Sequence, residues 1–104
     1  MKVNTFAEGG VMTVTVEGEI NTLTTPELAK YVNDLSNVST LVFDMENVPY
    51  VSSAGLRMFI ACLKTLNASG GDMLLKNCDE FVAEIFESVG YDKIINIEKK
   101  NGTE

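Results

Sequence analysis

At 104 residues and 45% apolar content, the chain is long enough to build one packed core and too apolar to be a disordered segment. Its 8 Lys and Arg against 15 Asp and Glu leave a net charge of −7, which argues against nucleic acid and against an anionic membrane surface as partner. No apolar run reaches the roughly 18 residues needed to cross a bilayer, and the opening MKVNTFAEGG lacks the apolar region of a secretory signal, so a cytoplasmic protein without membrane insertion is expected.

In chain order, Val3 to Phe6 and Val11 to Val16 read as a hairpin around EGG. The second of these, VMTVTVEG, alternates Val or Met with Thr, as a strand does in a sheet with one covered face. INTLTTPELAKYVNDL opens a first helix. Either Thr24 and Glu27 form a capping box, or Thr25 caps and Pro26 takes the first helical position. Leu28, Tyr31, Val32 and Leu35 follow at helical spacing as its inward face.

Leu41 to Met45 is a nearly continuous apolar strand, which suits the centre of a sheet. A second helix is expected from about Ser53 to Asn67, with Leu56, Phe59, Ile60, Leu63 and Leu66 inward and SGG ending it. Met73 to Lys76 makes another strand. Asn77 or Asp79 caps a third helix, with Val82, Ile85, Phe86 and Val89 inward and Gly90 just beyond its end. Ile94 to Ile97 supplies an edge strand before the polar KKNGTE. The order predicts an α/β fold: a mixed sheet of four or five strands, the hairpin antiparallel and the rest parallel, with helices mainly on one face.

Cys62 and Cys78 lack metal-ligand spacing, and the chain has no histidine, so they read as reduced thiols in preference to the disulfide two cysteines could form, and no metal or other cofactor is expected. The same lack of histidine bears on ENVPYVSSAGLRMF, where two serines, Ser52 and Ser53, stand before Ala54 and Gly55 at the start of the second helix. A serine nucleophile needs a base, and neither the G-x-S-x-G elbow nor a phosphate-binding loop is present, so an enzyme is not expected. An ordinary helix cap by Ser52 or Ser53 is the plain reading. Gly55 needs more, because glycine in a helix costs about 1 kcal/mol relative to alanine; a surface approached closely by another protein would account for it. A hydroxyl displayed at a helix N-terminus can also carry a phosphate without distorting the fold, since free N–H groups and the positive dipole end lie there. Asp44, at the end of the central strand, reads equally as a site residue or as a turn-capping aspartate.

VEGEINTLTTPEL, LVFDMENVPYVSSAGLRMF and GGDMLLKNCDEFVAEIFESVGYDKIINI together resemble the STAS-domain proteins of the bacterial anti-sigma-factor antagonist family over nearly the whole chain. The resemblance implies a STAS domain over residues 1–98 with a polar tail at 99–104. It places Ser53 at the family's phosphorylated serine, with Ser52 as fallback, and implies a partner surface of Asn21, Thr22, Asp44, Ser52, Ala54, Gly55 and Arg57. The sequence departs from the family at Ser52 and Asn21, where aspartates are common. The implied function is a binding switch: the unphosphorylated chain binds an anti-sigma factor that is itself a serine kinase, releasing a sigma factor. Phosphorylation ends the binding and a serine phosphatase resets it. The chain is expected to act as a monomer. The alternative is a STAS scaffold that is never phosphorylated, in a stress-signalling or transporter complex.

Overall fold

The computed structural model describes residues 1–100. Five strands form one sheet in chain order: β1 (Lys2–Glu8), β2 (Val11–Glu17), β3 (Thr40–Asn47), β4 (Asp72–Cys78) and β5 (Asn96–Lys99). The β1–β2 pair is antiparallel and the other three pairs are parallel. Helices α1 (Thr25–Ala29), α2 (Ser53–Ala68) and α3 (Glu80–Ser88) fill the connections, with short 3₁₀ turns at Lys30–Val32 and Tyr91–Lys93.

All three helices cover one face of the sheet. Inward residues Val14 and Val16 of β2, Leu41, Phe43 and Met45 of β3, and Met73 and Leu75 of β4 share one core with Leu28, Phe59, Leu63, Leu66, Val82 and Phe86 from the helices. Phe43, Phe59 and Phe86 meet edge to face, with ring centroids 4.8 and 5.4 Å apart, and so join β3, α2 and α3. This contact seats α2 over the centre of the sheet. The alternating Thr13 and Thr15 face outward beside Val42, which is buried among its strand neighbours but lies outside that core.

Several inward assignments change. Tyr31 is exposed, while Leu28, Val32 and Leu35 are buried. The α-helix ends at Ala29, and the segment buries only the stripe that faces α2, leaving the phenol at the flank in water. Helix α2 buries Met58 and Cys62 besides Phe59, Leu63 and Leu66, while Leu56 and Ile60 are half-buried at its margin. Val89 is exposed, because α3 stops at Ser88 and Val89 has left the helical period; Gly90 follows at φ 78°, as expected of the residue past a helix end. The last strand starts two residues later than expected, with Ile94 outside and Ile95 buried. Of the expected tail, Lys99 closes β5 and the Lys100 N–H donates to the Cys78 carbonyl at 2.7 Å; residues 101–104 lie outside those described.

Candidate functional site

Two connections leave the C-terminal ends of the parallel strands β2 and β3 side by side. The N–H of Gly18 donates to the carbonyl of Asn47 (3.0 Å), Ile20 to Tyr50 (2.9 Å) and Ser52 to Ile20 (2.8 Å), and Ile20 and Val51 form a parallel bridge. Both side chains of that bridge are buried. The serine turn is therefore clamped from below by the β2–α1 connection, and its position is fixed by the sheet.

The clamp explains Gly55. A Cβ there would stand 2.7 Å from Ile20 Cγ2 and 2.9 Å from Val51 Cγ1, closer than carbon atoms approach without a shift. Gly55 is itself buried. Internal packing under the helix's first turn, rather than the approach of a partner, requires the missing side chain.

The two serines part company on this frame. Ser52 is the N-cap of α2, with extended backbone (φ −88°, ψ 176°), and its carbonyl accepts from the Leu56 N–H at 2.9 Å. Its Oγ is buried and has no hydrogen-bond partner among the described residues, and its side chain does not cap the helix. Ser53, the first residue of α2, is exposed. The hydroxyl within reach of another protein's active site is that of Ser53. Beneath it the amides of Ser53, Ala54 and Gly55 precede the first intrahelical donor of the 16-residue helix, the Leu56 N–H, and have no helical acceptor of their own, so negative charge placed there meets the positive end of the dipole.

Asn21 holds the neighbouring connection. Its Oδ1 accepts from the N–H groups of Leu23 (2.9 Å) and Thr24 (3.0 Å), while its own N–H donates to Thr24 Oγ1 (2.9 Å). Thr24 Oγ1 in turn donates to the Glu19 carbonyl at 2.7 Å. This reciprocal cap replaces both expected ones: neither Thr24 nor Thr25 caps α1 with its side chain, and Glu27 forms no box. An aspartate at position 21 would accept the same two bonds. Asparagine keeps the geometry and drops the charge.

Thr22 is exposed in the same turn, Ala54 is half-buried beside Ser53, and Arg57 is exposed one turn along α2 without an ion pair among the described residues. Asp44 stands apart. Its Oδ1 accepts from the Glu46 N–H (3.2 Å) and from Asn77 Nδ2 (3.1 Å), tying the ends of β3 and β4 together on the open face of the sheet. These are the bonds of a strand-end strut, and none of them reaches the serine turn.

Sequence reasoning missed an apolar rim. Leu23, at the tip of the Asn21 turn, is 86% exposed, which is unusual for a leucine held by three ordered hydrogen bonds around it. Tyr50, two residues before Ser52, stacks on Phe81 of α3 with centroids 6.4 Å apart and 24° between planes, both rings partly in water. An isolated leucine inside the polar NTLTT was the available signal. A separate shallow groove of about 280 Å³ between α1 and α2, lined by Val32, Leu35, Met58 and Cys62 among others, offers apolar walls and one thiol. Burial pushes the Cys62 thiol up to about 11.

Helices covering one face of a mixed sheet are expected from the sequence; the clamp beneath the serine turn is not. The family model for the STAS domain matches residues 2–103. The chain belongs to the STAS-domain family. Over 106 aligned residues it is 26% identical to the anti-sigma-B factor antagonist of Staphylococcus aureus, covering 100% of this chain and 96% of that protein. Among solved structures, this STAS domain superposes on a candidate anti-sigma factor antagonist from Thermotoga maritima with a TM-score of 0.85 at 19% identity, covering 97% and 89% of the two chains. It superposes on the Bacillus cell fate determinant SpoIIAA in its phosphorylated form with a TM-score of 0.74 at 13% identity, covering 98% and 96%. A sulfate transporter family protein from Wolinella succinogenes gives 0.77 at 12% identity, covering 92% and 82%. These structural likenesses establish a shared fold, and the fold alone.

Proposed function

We propose that this STAS domain is an anti-sigma-factor antagonist switched by phosphorylation of Ser53. The observation that carries the proposal is the division of labour between the serines: Ser53 exposed on the first turn of α2, Ser52 Oγ buried beneath it. Full-length similarity to the Staphylococcus aureus anti-sigma-B factor antagonist supports the same reading. The partner is an anti-sigma factor with serine kinase activity, a serine phosphatase resets the switch, and the chain itself is a cytoplasmic binding module without turnover of its own.

Phosphorylation adds roughly 1.5 to 2 negative charges and three acceptor oxygens. The helix N-terminus, with Arg57 one turn on, accommodates them in the free domain. An interface fitted to a neutral hydroxyl has no counter-ion prepared, so binding suffers while folding does not. Leu23, on the connection bridged to the serine turn, and Tyr50, which precedes that turn and stacks on Phe81, are exposed apolar and aromatic side chains of the kind that anchor protein interfaces.

The test is binding of a serine-kinase anti-sigma factor from the same organism to wild type, Ser53→Ala, Ser53→Asp and Leu23→Ala, with mass spectrometry after ATP. Ser53→Ala should bind and resist phosphorylation. Ser53→Asp should melt as wild type does and bind at least about thirtyfold more weakly, the scale of an uncompensated buried charge. Leu23→Ala should cost about fivefold or more in affinity, the threshold of an interface anchor. Tight binding by Ser53→Asp, or full phosphorylation of Ser53→Ala, would remove Ser53 from the mechanism and leave the scaffold reading.

A further inference from the structure

Strand β1 takes no part in the serine site. Among the described residues it is an edge strand with β2 as its sole strand neighbour. Edges exposed in this way are commonly blunted by proline, a bulge or an inward-pointing charge. β1 has none of these. It pairs with β2 without a break from Lys2 opposite Glu17 to Glu8 opposite Val11, contains no proline, and turns only Val3, Thr5 and Ala7 toward the helix side. Its open-face side chains are Lys2, Asn4, Phe6 and Glu8, and Phe6 is 65% exposed.

The hairpin turn decides which backbone groups are free. Gly9 and Gly10, both at positive φ (60° and 83°), form a two-residue turn that closes on the Glu8–Val11 pair. Such a turn joins a hydrogen-bonded pair, and bonded pairs recur at every second residue. Lys2, Asn4, Phe6 and Glu8 therefore spend their N–H and C=O groups on β2. Those of Val3, Thr5 and Ala7 point away from the sheet.

We propose that β1 pairs antiparallel with β1 of a second copy of this chain, about a two-fold axis through Thr5, joining the two sheets edge to edge. Free groups face free groups in this register, with Thr5 opposite the partner's Thr5 and Val3 opposite the partner's Ala7. Lys2 then stands opposite the partner's Glu8, and Glu8 opposite the partner's Lys2. Neither residue has an ion pair within its own chain among the described residues. The two Phe6 rings become diagonal neighbours across the axis, a spacing aromatic side chains bridge. Moving the axis to Asn4 or Phe6 keeps the backbone bonds but shortens the pairing and loses both Lys–Glu contacts. The strand is complementary to itself in charge and hydrogen bonding in one register. An interface of two short strands is smaller than a standard one, so the dimer is weak and the chain is monomeric when dilute.

Sedimentation velocity on the full chain, from micromolar to millimolar concentration at near-physiological salt, should show a reversible dimer. Glu8→Lys should raise the dimer dissociation constant about tenfold or more, because two attractive cross-strand pairs become two repulsive ones. Net charge works in the opposite direction: it moves from −7 to −5 in that variant, which by itself favours association. Adding Lys2→Glu should restore the affinity to within about threefold of wild type. Thr5→Pro removes an outward N–H and none that β2 uses, so it should abolish the dimer while circular dichroism and melting show an intact fold. A chain that stays monomeric to millimolar concentration overturns the proposal. So does a dimer indifferent to Thr5→Pro, and a dimer that the double charge swap fails to restore overturns the register.

Discussion

Gly55→Ala separates two explanations of the same glycine. If Gly55 lies in the first turn of α2 only to let a partner approach, alanine should stabilise the free domain, because it relieves up to about 1 kcal/mol of helix propensity. The packing geometry predicts the reverse. The new Cβ meets Ile20 Cγ2 at 2.7 Å and Val51 Cγ1 at 2.9 Å, with the Ile20 carbonyl oxygen 3.4 Å away. Neither side chain is the loose end of a flexible residue. Both are β-branched, both are buried, and their backbones are bridged to each other. Overpacking of this kind costs about 1–3 kcal/mol, and subtracting the propensity gain leaves a net loss of up to about 2 kcal/mol. For a domain near 100 residues that lowers the melting temperature by up to about 15 °C. Thermal and urea unfolding of Gly55→Ala, Val51→Ala and the double variant provide the assay. The double variant should be more stable than the sum of the single effects, because truncating Val51 opens the space the new methyl needs. If Gly55→Ala melts at or above wild type, the packing account is wrong and the glycine belongs to the interface.

Two further outcomes follow from the same structure. Ser52→Ala should leave stability unchanged or slightly raised, since its Oγ is buried without a partner, whereas Asp79→Ala should cost about 1 kcal/mol, because Asp79 Oδ1 accepts from the Val82 N–H at 2.8 Å; urea midpoints of the two variants provide the comparison. Cys62 and Cys78 should resist thiol reagents at neutral pH until the chain is unfolded, because burial, joined at Cys78 by the charges of Asp79 and Asp44, pushes the thiols up to about 11 and about 12. The unfolded chain releases these protons first, near 9.0, so the contribution is intact below that pH and stability should fall as pH rises from about 9 toward 12; a melting temperature flat across that window would refute the assignment.

Much of the architecture was legible because its signals were local. VMTVTVE alternates, LVFDM runs apolar through the sheet centre, and GG, SGG and Gly90 punctuate the elements where turns form. What the pattern missed depended on neighbours that sequence spacing does not name. Tyr31 satisfies a helical period, yet the α-helix ends at Ala29 and, in the 3₁₀ turn that follows, Tyr31 lies off the buried positions Leu28, Val32 and Leu35. Met58 and Cys62 are buried beyond the expected stripe because α1 lies over that flank of α2, forming the groove they line. In IINI the alternatives of Ile94 and Ile95 as the inward residue are decided by the 3₁₀ turn at Tyr91–Lys93, which the string does not announce.

The site shows the same division. SSAG identifies a helix start but treats its two hydroxyls as equivalent, and they become different only when the N-cap residue takes an extended backbone and the next residue begins the helix. That step points one Oγ inward and leaves the other outside. It also explains how the site tolerates neutral residues at positions 21 and 52, where the family resemblance of the sequence leads one to expect aspartate. Asn21 supplies the acceptor that closes its turn, and the backbone of Ser52, bonded to Ile20 and Leu56, closes the other. The turns are shaped by hydrogen bonds that need oxygen and not charge. Removing two carboxylates from the neighbourhood of Ser53 also removes two repulsions against a phosphate there. Under the proposed switch, a phosphate on Ser53 is held by the helix N-terminus with less opposition than an acidic site would impose, and the difference in binding between the two states would rest on the partner's surface more than on strain in the switch itself.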